Sequence, residues 1–81
     1  MAWSALARTW NAERKMYQSL TLRIEETQQP GCLVRLYDQE TVVGECLAET
    51  PQSAMAQAVA LAREYLQDAS ITEQSLTWVQ V

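Results

Sequence analysis

Histidine is missing altogether from the 81 residues. Its absence removes the commonest general base, the imidazole metal ligands and every Ser-His or Cys-His nucleophile. Cysteine is scarce, and Cys32 and Cys46 form no CxxC motif. Without histidine to complete a metal site, they read as two small buried hydrophobes rather than as a redox or metal pair. No apolar run approaches the roughly 20 residues that span a bilayer. Arg8 breaks the only N-terminal stretch that resembles a signal-peptide core, so a cytoplasmic protein without a membrane span is expected. Repeats, low-complexity tracts and calcium-loop spacing of carboxylates are also absent. Glu25, Glu26, Asp38, Glu40, Glu45 and Glu49 therefore read as solvated surface, and Ser4 and Ser53 have no base in view. No catalytic residue, cofactor or metal is expected, and the chain is read as a non-enzyme.

What remains is a short chain of one domain's length, 48% apolar, with net charge −4. The charge is unevenly placed. Residues 1–23 hold Arg8, Arg14, Lys15 and Arg23 against Glu13 alone, whereas residues 24–81 hold Arg35 and Arg63 against nine carboxylates. An acidic body gains little from counterion release, so nucleic acid is a disfavoured partner unless the basic lead-in acts by itself.

Trp3, Leu6, Ala7 and Trp10 recur at i, i+3, i+4 and i+7, which predicts a short amphipathic N-terminal helix within residues 1–15. The folded body is expected to start at Met16-Tyr17 and to run over 16–81. In "SLTLRIEE", Leu20, Leu22 and Ile24 alternate with polar residues, the mark of a half-buried strand. Pro30-Gly31 suits a type II turn. "CLVRLY", "DQE" and "TVVGECLA" then predict a hairpin with a three-residue loop, Tyr37 opposite Thr41 and Cys32 opposite Cys46. One face would carry Cys32, Val34, Leu36, Val42, Gly44 and Cys46; the other would carry Leu33, Arg35, Tyr37, Val43, Glu45 and Leu47. A helix over about 50–68 follows. Thr50 is its N-cap, Pro51 its first residue, and Ala54, Ala58, Leu61, Ala62 and Tyr65 form its apolar stripe. "LTWVQV" alternates again and predicts either a further strand or a tail that pairs with a partner. The fold expected is α+β: a three- or four-stranded antiparallel sheet with one helix on one face.

This order is similar to two families. Thr50, Ala54 and Ala58 match the capped, alanine-spaced helix that follows three strands in HicB-type antitoxin domains, with Met16-Tyr17 as the start and "LTWVQV" as a last strand. That resemblance covers roughly residues 16–81 and implies a toxin protein as partner. It does not extend to the separate DNA-binding domain such antitoxins often carry. "VVGECLAETPQSAMAQAVALAREYL" also resembles the last strand and second helix of double-stranded-RNA-binding domains, with "WSALARTW" as the first helix. That family's phosphate-spanning lysines are replaced here by Pro51, Gln52 and Met55, so its RNA site is not carried over.

A single helix covers one side of a sheet, yet Leu33, Tyr37, Val43 and Leu47 project from the other in this register. Two outcomes stay open: the Trp3/Leu6/Trp10 stripe folds over that face, or the face meets another protein. The function expected is a non-catalytic protein–protein interaction module: a small subunit, adaptor or oligomeric accessory protein. Trp3, Leu6, Trp10, Leu33, Arg35, Tyr37, Val43, Glu45 and Leu47 are its candidate contact residues. The alternative is a nucleic-acid-binding protein that uses the basic 8–23 segment and stacks bases on Trp3 or Trp10.

Overall fold

A computed structural model describes residues 1–27 and 31–81. Five strands and one α-helix follow in the order β1 (Ala2–Asn11), β2 (Met16–Glu26), β3 (Cys32–Asp38), β4 (Thr41–Ala48), α1 (Pro51–Leu66) and β5 (Val79–Gln80). The strands form one antiparallel sheet in the order β4-β3-β2-β1-β5. The α+β class holds, with more strands than expected. The N-terminal segment corrects the sequence reading: residues 2–11 are a strand, not a helix.

β1 and β2 pair without interruption from Ala2↔Glu25 to Asn11↔Met16. Asn11 makes the turn. Its Oδ1 accepts from the backbone N–H of Glu13 and of Arg14, both at 3.1 Å, and Lys15 takes a left-handed φ of 53° to close the loop. β3 joins β2 only from Thr21 onward, so the hairpin projects as a two-stranded ribbon beyond it.

The β3–β4 hairpin corrects a second expectation. Asp38 pairs with Thr41 across a two-residue loop in which Gln39 has φ 60°. A bulge then inserts Val43 between the pairs Tyr37↔Val42 and Leu36↔Gly44. The shorter loop and the extra residue each shift the register by one, so Cys32 lies opposite Ala48 and Cys46 opposite Val34, not opposite each other. Both cysteines are free. The expected Pro30-Gly31 turn falls partly outside the described residues. Gly31 has φ 151°, a backbone conformation suited to glycine, and a Cβ there would lie 3.4 Å from the Ala48 carbonyl oxygen.

The α1 helix starts as its sequence predicts and ends slightly short of the expected 68. Thr50 Oγ1 accepts from the N–H of Ser53 while Ser53 Oγ accepts from the N–H of Thr50, a reciprocal cap, and Pro51 opens the helix. At the other end Gln67, with φ 53°, turns the chain away without a glycine. The helix packs on β2, β3 and β4. Ala54, Ala58 and Ala62 are fully buried there, with Val59 and Leu66 beside them. Against them lie Leu20, Leu22, Ile24, Cys32, Val34 and Leu36. Alanines at each turn let the helix axis come close to the sheet, while the branched residues on the strands fill the gap. Ile71 and Leu76, from the segment between α1 and β5, complete the core along β1 with Ala5 and Ala7. Among the described residues no helix is long and apolar enough to cross a membrane.

Candidate functional site

Side chains alternate across a strand and directly paired residues share a face, so the ladders assign every strand residue to one side. The helix side holds Trp3, Ala5, Ala7, Leu20, Leu22, Ile24, Val34 and Leu36. The opposite side holds, from hairpin tip to base, Trp10 and Tyr17; Arg8 and Ser19; Leu6, Thr21, Tyr37 and Val42; Val79, Ser4, Arg23, Arg35 and Glu45; and Ala2, Glu25, Leu33 and Leu47. No element lies over this second face among the described residues. The N-terminal segment, one of the two coverings left open, is instead a strand within the sheet.

Of the nine candidate contact residues, seven come together on the open face: Leu6, Trp10, Leu33, Arg35, Tyr37, Glu45 and Leu47. Two do not. Trp3 is paired with Ile24 and packs against the core from the helix side. Val43 is the bulge residue and also packs against the core, which corrects the face given to it. Its neighbour Val42 takes its place on the open face, opposite Tyr37. The sequence reading also missed Tyr17 and Val79, which alternation along β2 and β5 places on the same side.

The apolar groups of this face are well bared: Leu6 and Trp10 at 54%, Tyr17 at 56%, Leu47 at 71%. Val42, at 46%, and Val79, at 57%, add to the exposed apolar groups of this face. Polar residues divide the patch. Arg35 Nε donates to Glu45 Oε2 at 2.9 Å across β3 and β4, and Arg23 Nε donates to Glu25 Oε1 at 2.7 Å along β2. Their side chains are about half exposed, so each pair contributes little to stability. Its effect is on the character of the face: Arg23 and Arg35 stand directly opposite each other, and each is neutralised within the chain. At the tip, the Arg8 guanidinium lies 4.4 Å over the Tyr17 ring, and Trp10 meets that ring edge-on at 5.1 Å.

The chemistry available elsewhere is sparse. Burial, with Glu26 nearby, pushes the Cys32 thiol above its ordinary value, and burial alone raises Cys46, whose Sγ donates to Gln57 Oε1. Neither is a poised nucleophile. No group of three or more Cys, Asp or Glu side chains able to hold a metal ion forms among the described residues. The Asp68 carboxylate is held below the usual range, first by the Ser70 hydroxyl and then by Thr9, whose Oγ1 donates to it at 2.6 Å. These bonds tie the turn after α1 to β1.

The fold and its bared face together define a small α+β domain built as a sheet with one side closed by a helix and one side open. No known protein family, characterised protein or solved structure matches the chain.

Proposed function

We propose that this chain is a non-catalytic protein–protein interaction module that uses the open face of its sheet. The observation that carries this reading is the placement of Leu6, Trp10, Tyr17, Val42, Leu47 and Val79 on one uncovered side of the sheet. Antiparallel sheets ordinarily turn polar residues to water, and an apolar outer face gains free energy only when something covers it. The neutralised Arg23 and Arg35 suit a protein surface better than a polyanion, because phosphate must first displace Glu25 and Glu45.

The test compares the wild-type chain with Trp10→Glu and with Leu47→Glu, in sedimentation equilibrium and in cross-linking within native extract. Self-association or a discrete cross-linked partner in the wild type, lost in both variants, supports the reading. A strictly monomeric wild type whose cross-links match those of both variants sinks it.

One observation favours the nucleic-acid alternative: Arg8, Trp10 and Tyr17 form a basic-aromatic cluster at the hairpin tip, the composition of a base-stacking platform. It predicts oligonucleotide binding that weakens steeply with salt and disappears when Arg8, Arg14 and Lys15 are neutralised. Salt-insensitive binding, or none, removes it.

A further inference from the structure

The outer edge of β1 is the second unpartnered element of the sheet, and its geometry is specific. Main-chain groups of alternate β1 residues point to opposite sides: the Met1 carbonyl accepts from Glu26 on the β2 side, and the Ala2 carbonyl accepts from Val81 on the β5 side. The N–H and C=O groups of Leu6, Arg8 and Trp10 therefore point away from β2. β5 covers β1 only at Trp3 and Ser4, and no backbone hydrogen bond reaches Leu6, Arg8 or Trp10 from that side among the described residues. β4, the other edge strand, is defended differently. Its bulge at Val43 breaks the hydrogen-bonding repeat, and Glu45 charges its middle. β1 has no bulge, its pairing with β2 being regular over all ten residues, and the one charge on its free stretch, Arg8, is drawn over the Tyr17 ring.

The space beside this edge has a defined chemistry on its helix side. Two hollows, of about 260 and 570 Å³, flank β1 and share Asp68 as a wall. The first also meets Arg8, Ile71 and Leu76, the second Glu13. Asp68 is fixed by Thr9 and Ser70. On the open side, Leu6 and Trp10 stand exposed at either end of the free stretch.

We propose that the free edge of β1, from Leu6 to Trp10, accepts an extended segment of a partner protein as an added strand in line with β5. This rests on the interaction-module reading and specifies how the partner is held. Backbone pairing to Leu6, Arg8 and Trp10 supplies the register, as in other strand-addition complexes. Side chains opposite Leu6 and Trp10 fall on the open face and are apolar. Those opposite Ala7 and Thr9 fall on the helix side, where the Asp68 and Glu13 carboxylates select basic ones. The occupant is thus an alternating apolar and basic segment. Its arrival turns the two-stranded ribbon at the hairpin tip into a three-stranded sheet, and ribbons of two strands are marginal on their own.

The probe is the capped peptide Thr-Ile-Lys-Thr-Lys-Ile-Thr, which pairs antiparallel to β1, as β5 does, with its isoleucines opposite Leu6 and Trp10. It is titrated into the labelled full chain and followed by backbone NMR and amide exchange. Expected are saturable shifts along β1 and at least tenfold slower exchange of the Leu6, Arg8 and Trp10 amides at saturation. A version with glutamates in place of both lysines binds at least fivefold more weakly. A version N-methylated at both isoleucines and the central threonine does not bind. The absence of saturable binding overturns the proposal, as does equal binding of the N-methylated peptide. Shifts confined to Leu33, Tyr37, Val42 and Leu47, with β1 amide exchange unchanged, overturn strand addition and leave the open-face reading standing.

Discussion

Trp10 packs edge-on against Tyr17 across the β1–β2 ladder, ring centroids 5.1 Å apart and planes at 72°, with the Arg8 guanidinium over the other ring. The pair sits on the part of the ribbon beyond the last β2–β3 pair, Thr21↔Tyr37. Aromatic pairs of this geometry contribute beyond their buried area.

A double-mutant cycle on Trp10→Ala and Tyr17→Ala, read by urea unfolding, is expected to give a coupling of about 0.5–1.5 kcal/mol. Arg8→Ala in the Tyr17→Ala background is expected to cost less than in the wild type, because its partner ring is already gone. Purely additive losses would mean that the cluster does not stabilise the hairpin.

The same residues explain why β1 was illegible as a strand. Trp3, Leu6, Ala7 and Trp10 have helical spacing, but Trp3 and Ala7 lie on one face of the sheet and Leu6 and Trp10 on the other. A strand with apolar residues on both faces loses its period of two, and the chance period near 3.6 remains. β2 and β3 were legible because Leu20, Leu22 and Ile24, then Cys32, Val34 and Leu36, alternate with polar or half-buried neighbours. Thr50-Pro51 likewise marked the helix start through local chemistry. Val43 was not legible: an inserted residue in "TVVGE" leaves no compositional trace, and the bulge follows from how the two-residue turn and the core fit together. For the site, the idea of an apolar second face survives, while its membership depended on strand register.

Ala58 tests how closely the helix approaches the sheet. It is fully buried, midway between Ala54 and Ala62. Ala58→Leu is expected to destabilise the chain by about 1–3 kcal/mol, since the added methylenes must push α1 off β2 and β3. Ala60→Leu, on the exposed side of the same helix, is the control and should move the urea midpoint little. Equal effects at the two positions would contradict the close packing.

The cysteines should differ under native conditions. Cys32 is 2% exposed, whereas Cys46 is half-buried near the β4 edge. Timed alkylation followed by peptide mapping is expected to label Cys46 first and Cys32 only at the rate of unfolding. Simultaneous labelling in the folded chain would contradict the burial of Cys32.

Removal of the cap tests the helix start. Thr50→Ala deletes the hydroxyl that accepts from Ser53 and is expected to cost about 1 kcal/mol, with Thr50→Ser nearly neutral. The measurement is again the urea midpoint, at unchanged m-value.

Asp68 gives the fold a pH dependence whose sign is fixed by its partners. Hydrogen bonds from Ser70 and Thr9 favour the charged carboxylate, so its folded pKa lies below its unfolded one. Folding therefore releases no stabilisation at acid pH: the contribution is fully present above the unfolded value and is lost as pH falls through the folded value. Wild-type stability should accordingly drop more steeply than that of Asp68→Asn between pH 5 and pH 2, roughly the window in which a hydrogen-bonded carboxylate titrates. The gap between the two proteins, largest near neutrality, should close at the acid end. Because Thr9 and Ser70 bond one carboxylate, Thr9→Val should remove part of the same slope. Parallel acid profiles for the wild type and Asp68→Asn would mean that the turn after α1 is not held to β1 by this charge.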